Sequence, residues 1–161
     1  MPKLLISYYS RGGATRTMAE LIAEGARPTG IDVAVKQIAE TTTDDLLSAD
    51  GIAIGSPTYS GAAAGPVRKL FDDSVKAHGR LDGKVGGAFT SSANIGGGNE
   101  TTLLSIVQSM LVHGMVVQGV PQGDHYGPVS IGVPDKRATA QCKEFGKRLA
   151  LLTLRLAASG A

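Results

Sequence analysis

Apolar positions along the chain follow two periods in alternation. Residues 3–8 (KLLISY) form a short apolar run that stops at Ser10-Arg11-Gly12-Gly13, as a buried strand does before a glycine turn. From Ala14 to Arg27 the spacing of Met18, Leu21, Ile22 and Gly25 turns helical. Residues 32–38 alternate, with Val33, Val35 and Gln37 set against Ala34, Lys36 and Ile38, which suits a strand near a sheet edge. Residues 42–49 predict a short capped helix. The next buried strand is 51–55 (GIAIG), ended by Pro57, and 65–77 reads as a helix with Pro66 at an early, tolerated position. Further on, 84–90 predicts a fourth strand, 100–113 a helix, 115–119 a fifth strand and 135–157 a long final helix.

Strands that alternate with helices imply a mostly parallel sheet covered on both faces, because each parallel connection must cross over. Right-handed crossovers leave two common doubly wound solutions, and five strands favour the order 2-1-3-4-5 over the six-stranded dinucleotide order. No repeat or linker interrupts the pattern, so residues 1–161 are expected to form a single α/β domain. In such open sheets ligands sit outside the carboxyl ends of the strands. The loops after strands one, three, four and five therefore carry the functional expectation.

Composition narrows the classes. A chain of 161 residues with 42% hydrophobic content can bury a core without disulfides. Cys142 is the only cysteine, so an internal disulfide is impossible and the thiol reads as incidental. The net charge of +2 is scattered, which argues against nucleic acid as a partner. The first apolar run meets SRGG too soon for a signal peptide or a membrane span; a cytoplasmic protein without membrane insertion is expected. The 22 glycines gather in three places after apolar runs, as backbone brought close to a ligand would require.

The first loop, Ser10, Arg11, Gly12, Gly13, Ala14 and Thr15, joins a strand to a helix start, where unpaired N–H groups and the positive helix end suit a phosphate. It lacks both G-x-G-x-x-G and the G-K-[ST] ending of a triphosphate loop. The second loop carries Pro57, Thr58, Tyr59, Ser60 and Gly61: proline stiffens the strand exit and the tyrosine offers a flat face to a planar ring. The third, Ser91, Ser92, Ala93, Asn94, Ile95 and Gly96 running on to Asn99, has backbone N–H groups free to meet a ring edge. Glu100 and Thr101 read as caps of the following helix. After the fifth strand, GVPQGDHYGP brings His125, a proton donor, and Tyr126, a wall, to the same rim. Taken singly, each loop is also an ordinary polar turn. His78 and His113 have no metal partner at ligand spacing.

The runs SRGGAT, GSPTYSGAAAGPVRKLFD and GGGNETTLLSIVQSMLVHGMVV resemble the flavodoxin-like proteins of the WrbA type, FMN-dependent NAD(P)H:quinone oxidoreductases. The resemblance spans nearly the whole chain. It implies a flavodoxin-like fold, FMN phosphate at Ser10 to Thr15, ring contacts at Pro57, Thr58 and Tyr59, and further contacts across Ser91 to Gly96. It also implies NAD(P)H as co-substrate, a quinone-like acceptor and a homodimer or homotetramer. The chain departs from the family where Val112 stands in place of the first of a paired histidine, and where the tryptophan of the substrate site is missing. Two other readings stay open: a single-electron carrier serving redox proteins, and a flavin-bearing regulatory module.

Overall fold

A computed structural model describes residues 1–160. Strands β1 (Lys3–Tyr8), β2 (Asp32–Gln37), β3 (Gly51–Tyr59), β5 (Val85–Ser92) and β6 (Val116–Val117) lie in the spatial order β2-β1-β3-β5-β6. A hairpin strand β4 (Ala62–Ala63) pairs with β3, and β7 (Val129–Ile131) pairs with β5. The β1–β2, β1–β3, β3–β5 and β5–β6 ladders are all parallel. This is the doubly wound order that the alternation of elements predicts. Among the described residues no helix is long and apolar enough to cross a membrane.

Strand side chains alternate between two cores, as a period of two demands. Leu4, Ile6, Tyr8, Ala53, Val85 and Phe89 face α1 (Ala14–Ala26) and α5 (Lys136–Ala158). Leu5, Ile52, Ile54 and Ala88 face α2 (Thr43–Ser48), α3 (Gly65–Asp73) and α4 (Asn99–Val112). The short helix α2 starts on a capping box in which Asp45 N–H donates to Thr42 Oγ1 and Thr42 N–H donates to Asp45 Oδ2. On the first face, α1 and α5 cross at two glycines. A Cβ on Gly25 would stand 1.9 Å from Lys143 O, and one on Gly146 1.9 Å from Ile22 O. Cys142 is buried in this core. Burial, then the charge of Asp124, push its thiol up to about 12, so it carries no thiolate at neutral pH.

Three boundaries differ from those predicted. Pro57 does not end the third strand, which runs on to Tyr59. The β1 ladder stops at Tyr8 opposite Gly55 while β5 continues opposite Pro57; past the end of β1 no ladder on that side needs the missing N–H. The fourth strand extends through Ser92. The fifth, expected at 115–119, is split: Val85 faces Val116, an offset of 31, whereas Thr90 faces Val129, an offset of 39. The difference is an outward excursion between β6 and β7. At its end Gly127 packs so closely on β5 that a Cβ would lie 2.0 Å from Ala88 O.

Candidate functional site

The first loop leaves β1 with Tyr9 N–H donating to Gly55 O (3.1 Å). Its turn is set by Gly13 at φ 99°, whose N–H donates to Ser10 Oγ (3.1 Å). The first helical bond of α1 is Thr17 N–H to Gly13 O (3.0 Å), and no side chain caps the helix. The N–H groups of Ala14, Thr15 and Arg16 thus point out of the helix without an intrahelical acceptor, and its first turn has no acidic residue.

The second loop is a hairpin. Tyr59 pairs with Ala62 across Ser60 and Gly61, both at positive φ (51° and 76°), the signature of a two-residue type I′ turn. Tyr59 is 38% exposed and stands edge-on to Tyr9, ring centroids 6.4 Å apart. The third loop locks against this hairpin: a Cβ on Gly98 would meet Gly61 Cα at 2.6 Å, and Thr101 Oγ1 donates to Gly61 O (2.7 Å). Neither Glu100 nor Thr101 caps α4 as expected; the N-cap position is Gly98, and Thr101 spends its hydroxyl on the neighbouring loop. Asn99 Nδ2 donates to Ser92 Oγ (3.3 Å), while Asn94 Nδ2 turns to Ile95 O (3.1 Å).

Together these loops enclose a cradle of about 560 Å³ lined by Ser10, Arg11, Gly12, Ala14, Thr15, Pro57, Thr58, Tyr59, Ser91, Ser92 and Ala93. Gly13, Ser60, Gly61, Asn94 and Gly96 shape the turns around it. Beneath, two hydroxyl pairs stitch the loops to the end of β5: Thr15 Oγ1 to Ser91 Oγ and Thr58 Oγ1 to Thr90 Oγ1, each 2.9 Å. Thr15 is 1% exposed, and its hydroxyl bond to Ser91 braces the loop at the floor of the cradle. Nothing in the sequence marks Thr90. It lies inside a strand and meets Thr58 only through the sheet.

His125, Tyr126 and Ile95 lie together elsewhere. They line a second groove of about 420 Å³, with Asn99, Glu100, Leu103 and Arg137, on the α4 side of the Ser91–Asn99 segment. His125 Nδ1 lies 2.7 Å from Val120 O, and its ring meets Tyr126 edge-on at 6.5 Å. α5 holds this excursion by three polar side chains. Arg137 Nη1 donates to both Asp124 carboxylate oxygens (2.9 and 3.0 Å), Gln141 Oε1 accepts from Asp124 N–H (3.2 Å), and Arg148 Nη2 donates to Gly119 O (3.0 Å). Among the described residues no group of three His, Cys, Asp or Glu side chains is placed to hold a metal ion. His113 is buried and bonded through Nε2 to Ser74 Oγ (2.8 Å). Burial, then the nearby His78, hold it below the ordinary histidine pKa.

Comparison with known proteins agrees with this fold. Residues 4–123 match the family model of NADPH-dependent FMN reductases. A flavodoxin of Aquifex aeolicus is 42% identical over 159 residues, covering 93% of this chain and 86% of that protein. An NAD(P)H dehydrogenase (quinone) of Azorhizobium caulinodans is 39% identical over 153 residues, covering 81% and 76%. Among solved structures, the flavodoxin, WrbA-like protein of Agrobacterium tumefaciens superposes with a TM-score of 0.83 at 28% identity, covering 96% of this chain and 99% of that one.

Proposed function

The chain belongs to the NADPH-dependent FMN reductase family, and we propose that it is an FMN-dependent oxidoreductase passing two electrons from NAD(P)H to quinone-like acceptors. The uncapped start of α1 over the Gly12–Gly13 turn carries the reading. Three N–H groups and a helix end converge where a single terminal phosphate would sit, and nothing there matches a dinucleotide fingerprint. The cradle fits FMN on both counts, with Ser10 to Thr15 for the phosphate and Pro57, Thr58, Tyr59 and the Ser91–Gly96 segment for the ring. When bound, FMN supplies the redox chemistry, accepting electrons from a nicotinamide and yielding them to an acceptor. The side chains position, exclude water and move protons. In the groove beside the cradle, His125 donates Nδ1–H to Val120 O, so Nε2 is the proton-free nitrogen of the neutral ring. It takes a proton from solvent and, from the imidazolium, hands it to the oxygen of an acceptor that reaches this groove, with Tyr126 beside it.

The test is optical. Purified protein is expected to bind FMN and not FAD, to bleach anaerobically on addition of NADPH or NADH, and to regain its colour with benzoquinone. His125→Ala should lower turnover by about a hundredfold, the low end of acid–base contributions, with FMN affinity unchanged. A flavin that no nicotinamide reduces, but that a reductase protein reduces one electron at a time, would replace this reading with that of a carrier. The scattered charge of +2 favours the enzyme, since a surplus of acidic groups is what makes further electrons on the flavin costly.

Self-association accompanies the proposal. Leu104, Leu111 and Val112 of α4 are 38%, 57% and 70% exposed, apolar surface that a second copy would cover. Light scattering should return a dimer or tetramer, and a monomer at working concentration would remove this part.

A further inference from the structure

Thr58 lines the cradle, and its hydroxyl belongs to a chain of hydrogen bonds whose direction is fixed by chemistry. Thr90 Oγ1 lies 2.6 Å from Ser56 O and 2.9 Å from Thr58 Oγ1. Two oxygens approach to 2.6 Å only with a proton between them, and a carbonyl has none to give. Thr90 therefore spends its one proton on Ser56 O. It can then meet Thr58 only as an acceptor, so the proton of that second bond belongs to Thr58. The chain runs one way, from Thr58 to Thr90 to Ser56. Thr90 and Ser56 are both fully buried, so no water competes for these groups, and reversing the chain would leave Ser56 O without this donor.

From this geometry we propose that Thr90 is a positioning residue that makes Thr58 a hydrogen-bond acceptor toward the bound cofactor and denies it the role of donor. With its proton turned down into the sheet, Thr58 Oγ1 offers only lone pairs. It selects a ligand group that carries N–H or O–H and disfavours a carbonyl or phosphate oxygen at that point. The two sides of the cradle then have opposite polarity. The α1 end donates through free backbone N–H groups, and the β3 end accepts through Thr58. An asymmetric ligand, anionic at one end and bearing hydrogen-bond donors further along, binds in one orientation only. The inference rests on FMN as the cradle's ligand.

The test is FMN titration of the purified chain, read by fluorescence quenching, with thermal melts alongside. Thr90→Val keeps the shape and removes the relay. It is expected to weaken FMN about tenfold, the scale of one hydrogen bond lost to a ligand. Thr90→Ser keeps the hydroxyl and should bind within about twofold of the parent. The double variant Thr58→Val/Thr90→Val should bind no more weakly than Thr58→Val alone, because both changes break one chain. A purely structural Thr90 would instead give losses that multiply, and a serine variant no better than valine. Either outcome, or a Thr90→Val that binds like the parent, overturns the proposal while leaving FMN binding intact. A parent chain that fails to bind FMN overturns both this inference and the function it rests on.

Discussion

Gly146→Ala should destabilise the chain by about 3 kcal/mol, the upper end of overpacking costs, lowering the melting temperature by about 6–12 °C for a domain of this size. Helix propensity argues the other way, since alanine in place of a mid-helix glycine gains about 1 kcal/mol. The clash decides the sign. The added Cβ would stand 1.9 Å from Ile22 O, 2.8 Å from Ile22 C and 3.2 Å from Ala26 N. These are backbone atoms of α1, which no rotamer change can move. α1 and α5 must part, and the contacts of Met18, Ile22, Phe145 and Leu149 in the core between them loosen together. Gly25→Ala meets the reciprocal obstacle at Lys143 O. Because both variants need the same gap, the double variant should cost less than the sum of the singles. Denaturant titration of the four chains measures this, and a full sum, or a Gly146→Ala more stable than the parent, would show that the helices do not meet at these glycines.

The order of the sheet was legible because each strand and helix announces itself through its own period. The alternation of Leu4, Ile6 and Tyr8 against Leu5 needs only local sequence. The fifth strand was not legible in full. MVVQG reads as one continuous strand, and nothing local says that pairing with β5 is interrupted after Val117 and taken up again at Val129. What orders the intervening excursion is contributed from far away, by Arg137, Gln141 and Arg148 on α5. On a sequence these read only as the polar face of a helix. That the first two loops meet at one cradle could be anticipated because both directly follow strand ends, which an open parallel sheet gathers at one rim. The assembly of His125 with Tyr126 in a groove of its own could not, since it follows from the excursion. Thr90 illustrates the same limit: a threonine in a strand is an ordinary β-former, and its role exists only once β3 and β5 lie side by side.

The second large effect is expected at the phosphate end. Gly13→Val should weaken FMN binding by at least a hundredfold, equivalent to about 3 kcal/mol or two charge-assisted hydrogen bonds at the low end of their range. Gly13 has φ 99°, a conformation that costs an L-residue about 1–2 kcal/mol and a β-branched one more. Valine would relieve that strain by swinging the peptide, and the N–H groups of Ala14 and Thr15 would lose their common aim. Nothing lies within 4 Å of the added Cβ, so the fold itself has no clash to resolve and the melting temperature should fall by only a few degrees. Gly12 separates the two causes. It also has open space around its Cα but no positive φ, so Gly12→Ala leaves the turn unstrained. An unchanged affinity there, beside the loss at Gly13→Val, assigns the effect to backbone aim. An equal loss at Gly12→Ala with an unchanged melt would assign it instead to the ligand's own contact with the Gly12 Cα. If Gly13→Val binds FMN as tightly as the parent, the free N–H groups at the start of α1 are not what holds the phosphate.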